Sequence, residues 1–426
     1  MTDWTTDSND CFTISMVRAQ GDQKALAEDE SYEFNPAFTY PIFGEEEKIY
    51  GYNGLTIDLR FASGSLRQYL SVKWDEKLKA DTVDDAEKTL CEFIPSDIER
   101  DEEAFKTHVE QDATTFKPPG EKMYSYTRRS PAAKGKGKGI TPAADLDPES
   151  EDTLVFEVYH ATWETPGFRE YHRRMQLFIL LYIEAGSYIQ EDEDAWEFVV
   201  LFEKRKRTDG SGLSTYHFVG YSSLYNFYYF PEKTRLRLSQ FVILPPYQRH
   251  GHGSELYKAI YQYVLAQPHV GELTVEDPAE AFEDLRDKND LKMLLTTEGF
   301  MTEGFGDDAL SHGGGRVGKP GKALSRSKGK GKMGPPVEKG WAEKWRVKMK
   351  IAGRQFSRLI EMLIQMRLDP LDTRAMKAYR LQVKERLYRF NFEVLAQLEK
   401  EERLEKLEET FQSVREDYER ILGLVR

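Results

Sequence analysis

Cysteine is almost missing from this 426-residue chain, which holds only Cys11 and Cys91. Two thiols cannot build a disulfide framework or a four-cysteine zinc site. Long apolar runs are missing as well. The longest, LFILLYI at 177–183, falls far short of the ~20 residues that a membrane-spanning helix needs. Positive charge is in deficit: 60 Lys and Arg against 73 Asp and Glu leave a formal charge of -13. That balance argues against a general nucleic-acid binder and favours a basic partner. The opening MTDWTTDSND is polar and acidic, unlike a secretory leader. A soluble intracellular protein is expected.

The length predicts two or three domains. Two stretches, 130–153 and 312–340, are rich in Gly, Lys and Pro and carry no apolar period. Both read as disordered insertions, either plain solvated linkers or, through their GKGKG echoes, attractors of acidic partners. They leave three ordered spans. Residues 1–129 suggest a small mixed α/β domain with a hairpin meander: Asn53-Gly54 signals a turn, Leu55, Ile57, Leu59 and Phe61 alternate, and Leu70, Val72 and Trp74 alternate again. Residues 341–426 read as helical. Phe356, Leu359, Ile360, Leu363 and Ile364 share a face that ends before Asp369-Pro370, and Leu404, Leu407, Phe411, Val414, Tyr418 and Ile421 form a seam.

The middle span, 154–311, opens with a predicted helix over 168–189, then strands at 197–202, 218–225 and up to Leu244, with a turn at Thr208-Asp209-Gly210. After LPPYQRHGHG, the residues Leu256, Ile260 and Val264 recur at helical spacing; GELTVEDP then gives a short strand, followed by a helix over 280–288. Antiparallel strands followed by βαβ predict an α/β (α+β) mixed sheet with helices on both faces.

QRHGHG is thus a strand-to-helix turn. The dinucleotide fingerprint fails because Leu256 stands where a third glycine is required, and no Gly-Lys-Ser/Thr follows for a phosphate loop. His250 and His252 lack further convergent ligands, so no metal is expected. Glycines at a helix start, with successive amides and the helix dipole, suit an anion such as a pyrophosphate; a purely structural left-handed turn is the alternative.

Gln248-Arg249-His250-Gly251-His252-Gly253, after Val242-Ile243-Leu244, resembles the Q/R-x-x-G-x-G/A motif of the GNAT acetyltransferases. FREYHRRMQLFILLYIEAGSYI, VGYSSLYNFYYFPEKTRLRLSQFVILPPYQRHGHG, LTVEDPAEAFEDLRD and YPIFGEEEKIYGYNGL together resemble type B histone acetyltransferase catalytic subunits. The resemblance implies a GNAT sheet with flanking N-terminal and C-terminal helical domains, and acetyl-CoA as co-substrate without a metal. Phe241, Val242 and Ile243 would pair with the pantetheine arm, and Gln248, Arg249, His250, Gly251, His252 and Gly253 would hold the pyrophosphate. Ala281 stands where the family often has a cofactor-contacting serine, a missing hydrogen bond worth about 1 kcal/mol.

A lysine ammonium, with a pKa of about 10.4, must lose a proton before it attacks a thioester, so a carboxylate base is needed. Glu276 and Asp277 end a strand, where like charges raise one another's pKa; a turn acid pair before Pro278 is the alternative. Glu184 is predicted on an apolar helix face, or else solvated at a helix end. The family places candidate bases at all three. Cys91 is poorly placed as a nucleophile, so direct attack by the lysine is expected. Glu45, Glu46 and Glu47, with Tyr225, Asn226 and Phe227, match surfaces that grip the histone H4 tail in the family; a solvated acidic loop and a packed strand are the alternative. The implied partners are histone H4, alone or paired with H3, and a WD40-repeat histone-binding subunit, with no direct nucleic acid or membrane contact and residence in cytoplasm and nucleus. A small-amine acetyltransferase and a non-catalytic scaffold remain as rivals.

Overall fold

The computed structural model describes residues 4–131, 146–150, 152–207, 211–306 and 331–425. The Thr208-Asp209-Gly210 turn and most of the two Gly/Lys-rich stretches lie outside the described residues. The last ten residues of 312–340 are placed, however, and Met333 among them is fully buried.

The chain divides into two units, Met1–Phe227 with Arg237–Tyr263, and Tyr228–Leu236 with Val264–Arg426. Besides two two-stranded sheets, the first holds two larger ones. In one, β1 (Phe12–Val17) lies between β2 (Glu33–Phe34) and β3 (Thr56–Ala62), and β4 (Gln68–Lys73) follows beyond β3. The pair β3–β4 is the antiparallel hairpin read from the sequence, with Leu59 opposite Leu70. β1 runs parallel to β3, with Ile14 opposite Leu59, so the sheet is mixed rather than a simple meander. The alternation in β3 buries Ile57, Leu59 and Phe61 on one face. Helix α1 (Glu102–Thr115) starts on Asp101, whose carboxylate accepts the amides of Glu103 and Ala104, and packs Phe105 and Val109 on Tyr69 and Ala62.

The second sheet places β5 (Glu121–Arg129), β6 (Thr153–Thr162), β7 (Trp196–Lys206), β8 (Ser214–Tyr229) and β9 (Lys233–Ile243) side by side in that order. Its first three pairings are antiparallel, and the register shift at Leu201 and Phe202, which pair with Gly220 and Phe218, leaves Val219 as the extra residue of a bulge in β8. Because β5 pairs with β6, the expected boundary at 130–153 falls inside one sheet. Linker-like composition alone does not tell whether the strands on either side of it pair, and here they do.

The predicted helix over 168–189 is two short ones, α2 (Phe168–Met175) and α3 (Leu177–Tyr182). It stops at Ile183, which is extended; Ala185 follows at φ 56, with its amide on the Tyr40 hydroxyl at 2.6 Å. Helix α4 (His252–Ala266) follows β9 and the turn.

In the second unit, β10 (Val270–Val275) lies beside the opening residues of β9, where Thr234 N donates to His269 O at 2.9 Å. Then come α5 (Glu280–Thr296), α6 (Glu298–Phe305), α7 (Lys339–Met349), α8 (Gly353–Arg367), α9 (Thr373–Phe390) and α10 (Lys400–Val425). The apolar face of α8 is buried as its spacing predicts. The α10 seam buries Leu407, Phe411, Tyr418 and Ile421 within its own unit, while Leu404 stays 55% exposed. Buried Glu361 is satisfied by Arg386 Nε at 2.9 Å and the Tyr418 hydroxyl at 2.7 Å. No helix among the described residues is long and apolar enough to cross a membrane.

Candidate functional site

The end of β9 is built to hold a turn. Val242 and Ile243 are buried, and Leu244 N donates to Val219 O on β8 at 2.9 Å. A Cβ on Gly220 would collide with the Val242 carbonyl, so only glycine lets the two strands approach so closely there. Pro245 and Pro246 open a single 3-10 turn, Pro245–Tyr247, and Gln248, Arg249, His250 and Gly251 then project into solvent before α4 begins. Arg249 sits at φ 62 and Gly251 at φ 85. A side chain at Gly251 would meet only Arg128 Nη2 at 3.6 Å, so backbone conformation, not space, requires glycine. Gln248 Nε2 folds back on the Ile243 carbonyl at 2.8 Å, joining the turn to the strand end.

The helix start is electrostatically prepared for an anion. Glu255, the acid of its first turn, accepts from Arg128 Nη2 at 3.0 Å and from the Tyr124 hydroxyl at 2.8 Å. Burial opposes its ionisation, but these two bonds outweigh that and hold its pKa below the usual carboxylate value. The paired acid leaves the positive end of the helix dipole facing the exposed turn. These residues fit the phosphate end of a coenzyme A ester: an exposed turn, a helix N-terminus, and a turn sequence, QRHGHG, that contains no carboxylate; the Gln248 amide itself is taken up by Pro245 O at 3.1 Å.

Unlike the exposed residues just before it, His252 faces inward. It is buried, 2.6 Å from the Tyr126 hydroxyl and 4.4 Å from the Phe156 ring. Burial, helped by Arg128, pushes its pKa down to about 4, so it is neutral at physiological pH. Tyr247, on the other side of the turn, is equally buried. Its hydroxyl donates to Glu203 Oε2 at 2.7 Å and accepts from Arg18 Nη2 at 2.9 Å, while Arg18 also reaches Glu203 at 2.8 Å. Burial disfavours the Glu203 carboxylate, yet Arg18 and Arg205 together hold its pKa well below the usual value. Sequence reading missed Arg18, Glu203, Tyr126 and Tyr247. Each but Tyr247 is remote in sequence from the glycine turn, and only Tyr247 carried a local signal, a large ring just before it.

Among the candidate bases, Glu276 is half-buried directly after β10, while Asp277 is exposed and held at φ 29 before Pro278. Both belong to the second unit, whereas the glycine turn and Glu184 belong to the first. Glu184 is not on a helix: the chain turns at Ile183, which leaves Glu184 exposed. Ala281 is exposed in the first turn of α5.

The tail-gripping candidates also separate. Glu45 and Glu46 are exposed, but Glu47 is turned inward at φ 53 and its Oε1 accepts the amides of Thr39 and Tyr40. Asn226 is equally committed, since its Nδ2 donates to Glu197 Oε1 at 2.6 Å. Glu197 also binds His160 at 2.8 Å and the Tyr263 hydroxyl at 2.7 Å. Tyr225 and Phe227 do form one aromatic surface, 4.6 Å apart, but it includes Trp196, 4.7 Å from Tyr225, which sequence reading left out. The guanidinium of Arg237 lies 4.5 Å from the Phe227 ring.

A mixed sheet whose strand end passes through a glycine turn into a long helix places the protein among the GNAT acetyltransferases, and residues 156–282 match the model of the acetyltransferase (GNAT) family. Residues 4–184 match the model of the histone acetyl transferase HAT1 N-terminus, and 324–369 match that of the fungal HAT1 C-terminal region. The chain is 52% identical to the histone acetyltransferase type B catalytic subunit of Cryptococcus neoformans var. neoformans serotype D, over 99% of its own length and 98% of that protein. It is 46% identical to the subunit of Mycosarcoma maydis (92% and 83% covered) and 32% identical to that of Kluyveromyces lactis (99% and 93%). It belongs to the histone acetyltransferase type B catalytic subunits.

Proposed function

We propose that this chain transfers acetyl from acetyl-CoA to the Nε amine of a lysine in the N-terminal tail of newly made, free histone H4. The observation that carries the cofactor part of this reading is the exposed Gln248–Gly251 turn at the start of α4, with its nearby acid neutralised. In this reading the amides from Arg249 to Gly253 hold the pyrophosphate, while that of Gln248 closes the 3-10 turn on Pro245 O, and the backbone of Phe241, Val242 and Ile243 pairs with the pantetheine arm. The bound thioester supplies the acyl group. The chain's own residues bind and orient it and take a proton from the attacking amine.

Glu276 is the leading base, half-buried at a strand end, with Asp277 beside it in a sparsely populated backbone conformation. Glu184, exposed in its turn, is the weaker candidate. Burial pushes the Cys11 thiol up to about 12, so at neutral pH it holds almost no thiolate that could carry an acetyl group. In this reading the lysine attacks the thioester directly. Glu45 and Glu46 supply attraction for a basic tail, and the Trp196–Tyr225–Phe227 surface a place for it to lie. A WD40-repeat histone-binding subunit presents the histone, in cytoplasm and nucleus.

Turnover measured side by side with H4 tail peptides and with polyamines tests the reading. Faster turnover of the peptide supports it, and polyamines outpacing the peptide would move the protein to the small-amine class. Absence of turnover with either, while coenzyme A still binds, would make it a scaffold.

A further inference from the structure

The Gln248–Gly251 turn combines exposure with an uncommon backbone, Arg249 being a non-glycine residue at φ 62. Such a conformation persists when its surroundings over-determine it. The residues on either side supply that constraint. Tyr247 is 6% exposed and His252 4%; Tyr247 ends on buried Arg18 and Glu203, and His252 on half-buried Tyr126, all distant in sequence. Arg18 follows β1, Glu203 lies on β7, and Tyr126 lies on β5. The two rings also face one another, 5.8 Å apart and nearly perpendicular.

The network beneath Tyr247 is expensive to bury. Arg18 and Glu203 are almost wholly enclosed, and among the described residues Arg18 Nε and Nη1 have no hydrogen-bond partner. Arg205 pairs with both Glu203 and Glu30, extending the chain of charges. Buried ion pairs of this kind contribute little net stability compared with apolar side chains of the same volume. What this one does fix is the direction of the Tyr247 hydroxyl, one residue before the turn.

We infer that Tyr247 and His252 are positioning residues, clamping the two ends of the turn so that its amides are preset for the pyrophosphate of a coenzyme A ester. This rests on the acetyl-CoA reading above. A preset turn loses less freedom when the ligand arrives, so the clamp acts on cofactor affinity and not on the chemical step.

Tyr247→Phe and Tyr126→Phe each remove one hydroxyl from a clamp without altering the turn itself. In the full chain, each raises the calorimetric Kd for coenzyme A roughly tenfold. The KM for acetyl-CoA rises in step, while kcat and the KM for an H4 peptide stay unchanged. Amide hydrogen exchange speeds up at 248–253 and not along the rest of α4. Phe105→Leu, in the core beside Tyr69, lowers the melting temperature and leaves the coenzyme A Kd alone. Unchanged Kd and acetyl-CoA KM in the tyrosine variants, with only a lower melting temperature, would overturn the proposal by making the network purely structural. Should Tyr247→Phe not fold, Tyr126→Phe decides the matter. Wild-type protein that binds no coenzyme A would overturn the cofactor reading and this proposal together; wild-type binding with unshifted variants overturns this proposal alone.

Discussion

The carboxylate of Glu47 reaches back to the backbone amide of Thr39 at 2.6 Å and to that of Tyr40 at 3.1 Å. It satisfies the orphan donors at the start of the short helix Tyr40–Phe43, where Thr39 gives no side-chain cap of its own. Three consecutive glutamates are therefore not equivalent. Glu47→Gln should lower stability by about 1 kcal/mol, read from urea unfolding, and leave the salt dependence of peptide KM intact. Replacing Glu45 and Glu46 together by glutamine should raise that KM and flatten its rise with salt, with kcat spared, since exposed charges are screened beyond about 8 Å at physiological ionic strength. A KM indifferent to both changes would remove the acidic loop from tail binding.

Three buried histidines make stability depend on acid. Burial pushes His172 down to about 3 and His252 to about 4, and burial with Arg18 holds His217 well below its ordinary value. In each, the folded pKa lies below the unfolded value of about 6.5, so the unfolded chain takes up the proton first as pH falls. Stability from these groups is fully present above that pH and is lost as pH drops toward 4 for His252 and 3 for His172. Each contributes a slope of about 1.4 kcal/mol per pH unit in its window. Neither ring nitrogen of His172 has a hydrogen-bond partner among the described residues. His172→Leu should therefore reduce the slope without lowering stability at neutral pH, as chemical denaturation across pH would show.

Glu276→Gln should lower kcat by roughly 100-fold, more than it raises KM, with part of the rate recovered at high pH, where free lysine needs less help to lose its proton. Glu184→Gln should do less, because Glu184 is an exposed turn residue. Wild-type kcat in the Glu276→Gln variant across the whole pH range would exclude Glu276 as the base.

Removing 132–139 and 313–330, with short flexible joins, should leave peptide acetylation intact. Extending the second deletion through Met333 should not be tolerated as well. Met333 is fully buried, its amide donates to Gly304 O at 2.9 Å, and it packs where Trp341 and Trp345 both donate to Glu303. Loss of a buried methionine costs about 2–5 kcal/mol, so the longer deletion should lower the melting temperature clearly while the shorter one does not.

Local pattern was legible where one element decides its own fate. The alternation of Ile57, Leu59 and Phe61, the apolar face from Phe356 to Ile364, and the strand–glycine–helix order around Gly251 depend on periodicity and on backbone freedom, and both are written in consecutive residues. The same consecutive residues, with long co-linear likeness, sufficed for the family. Pairing across distance was not legible. That β1 runs parallel to β3, that β5 joins a sheet across a Gly/Lys-rich stretch, and that Glu47 and Asn226 turn inward are decided by partners far along the chain. The supports of the turn are the clearest case. Arg18 lies 229 residues from Tyr247, and Tyr126 lies 126 from His252. A buried charge or imidazole is stable only once its partner is in place, and no spacing rule links residues brought together by the closing of a sheet.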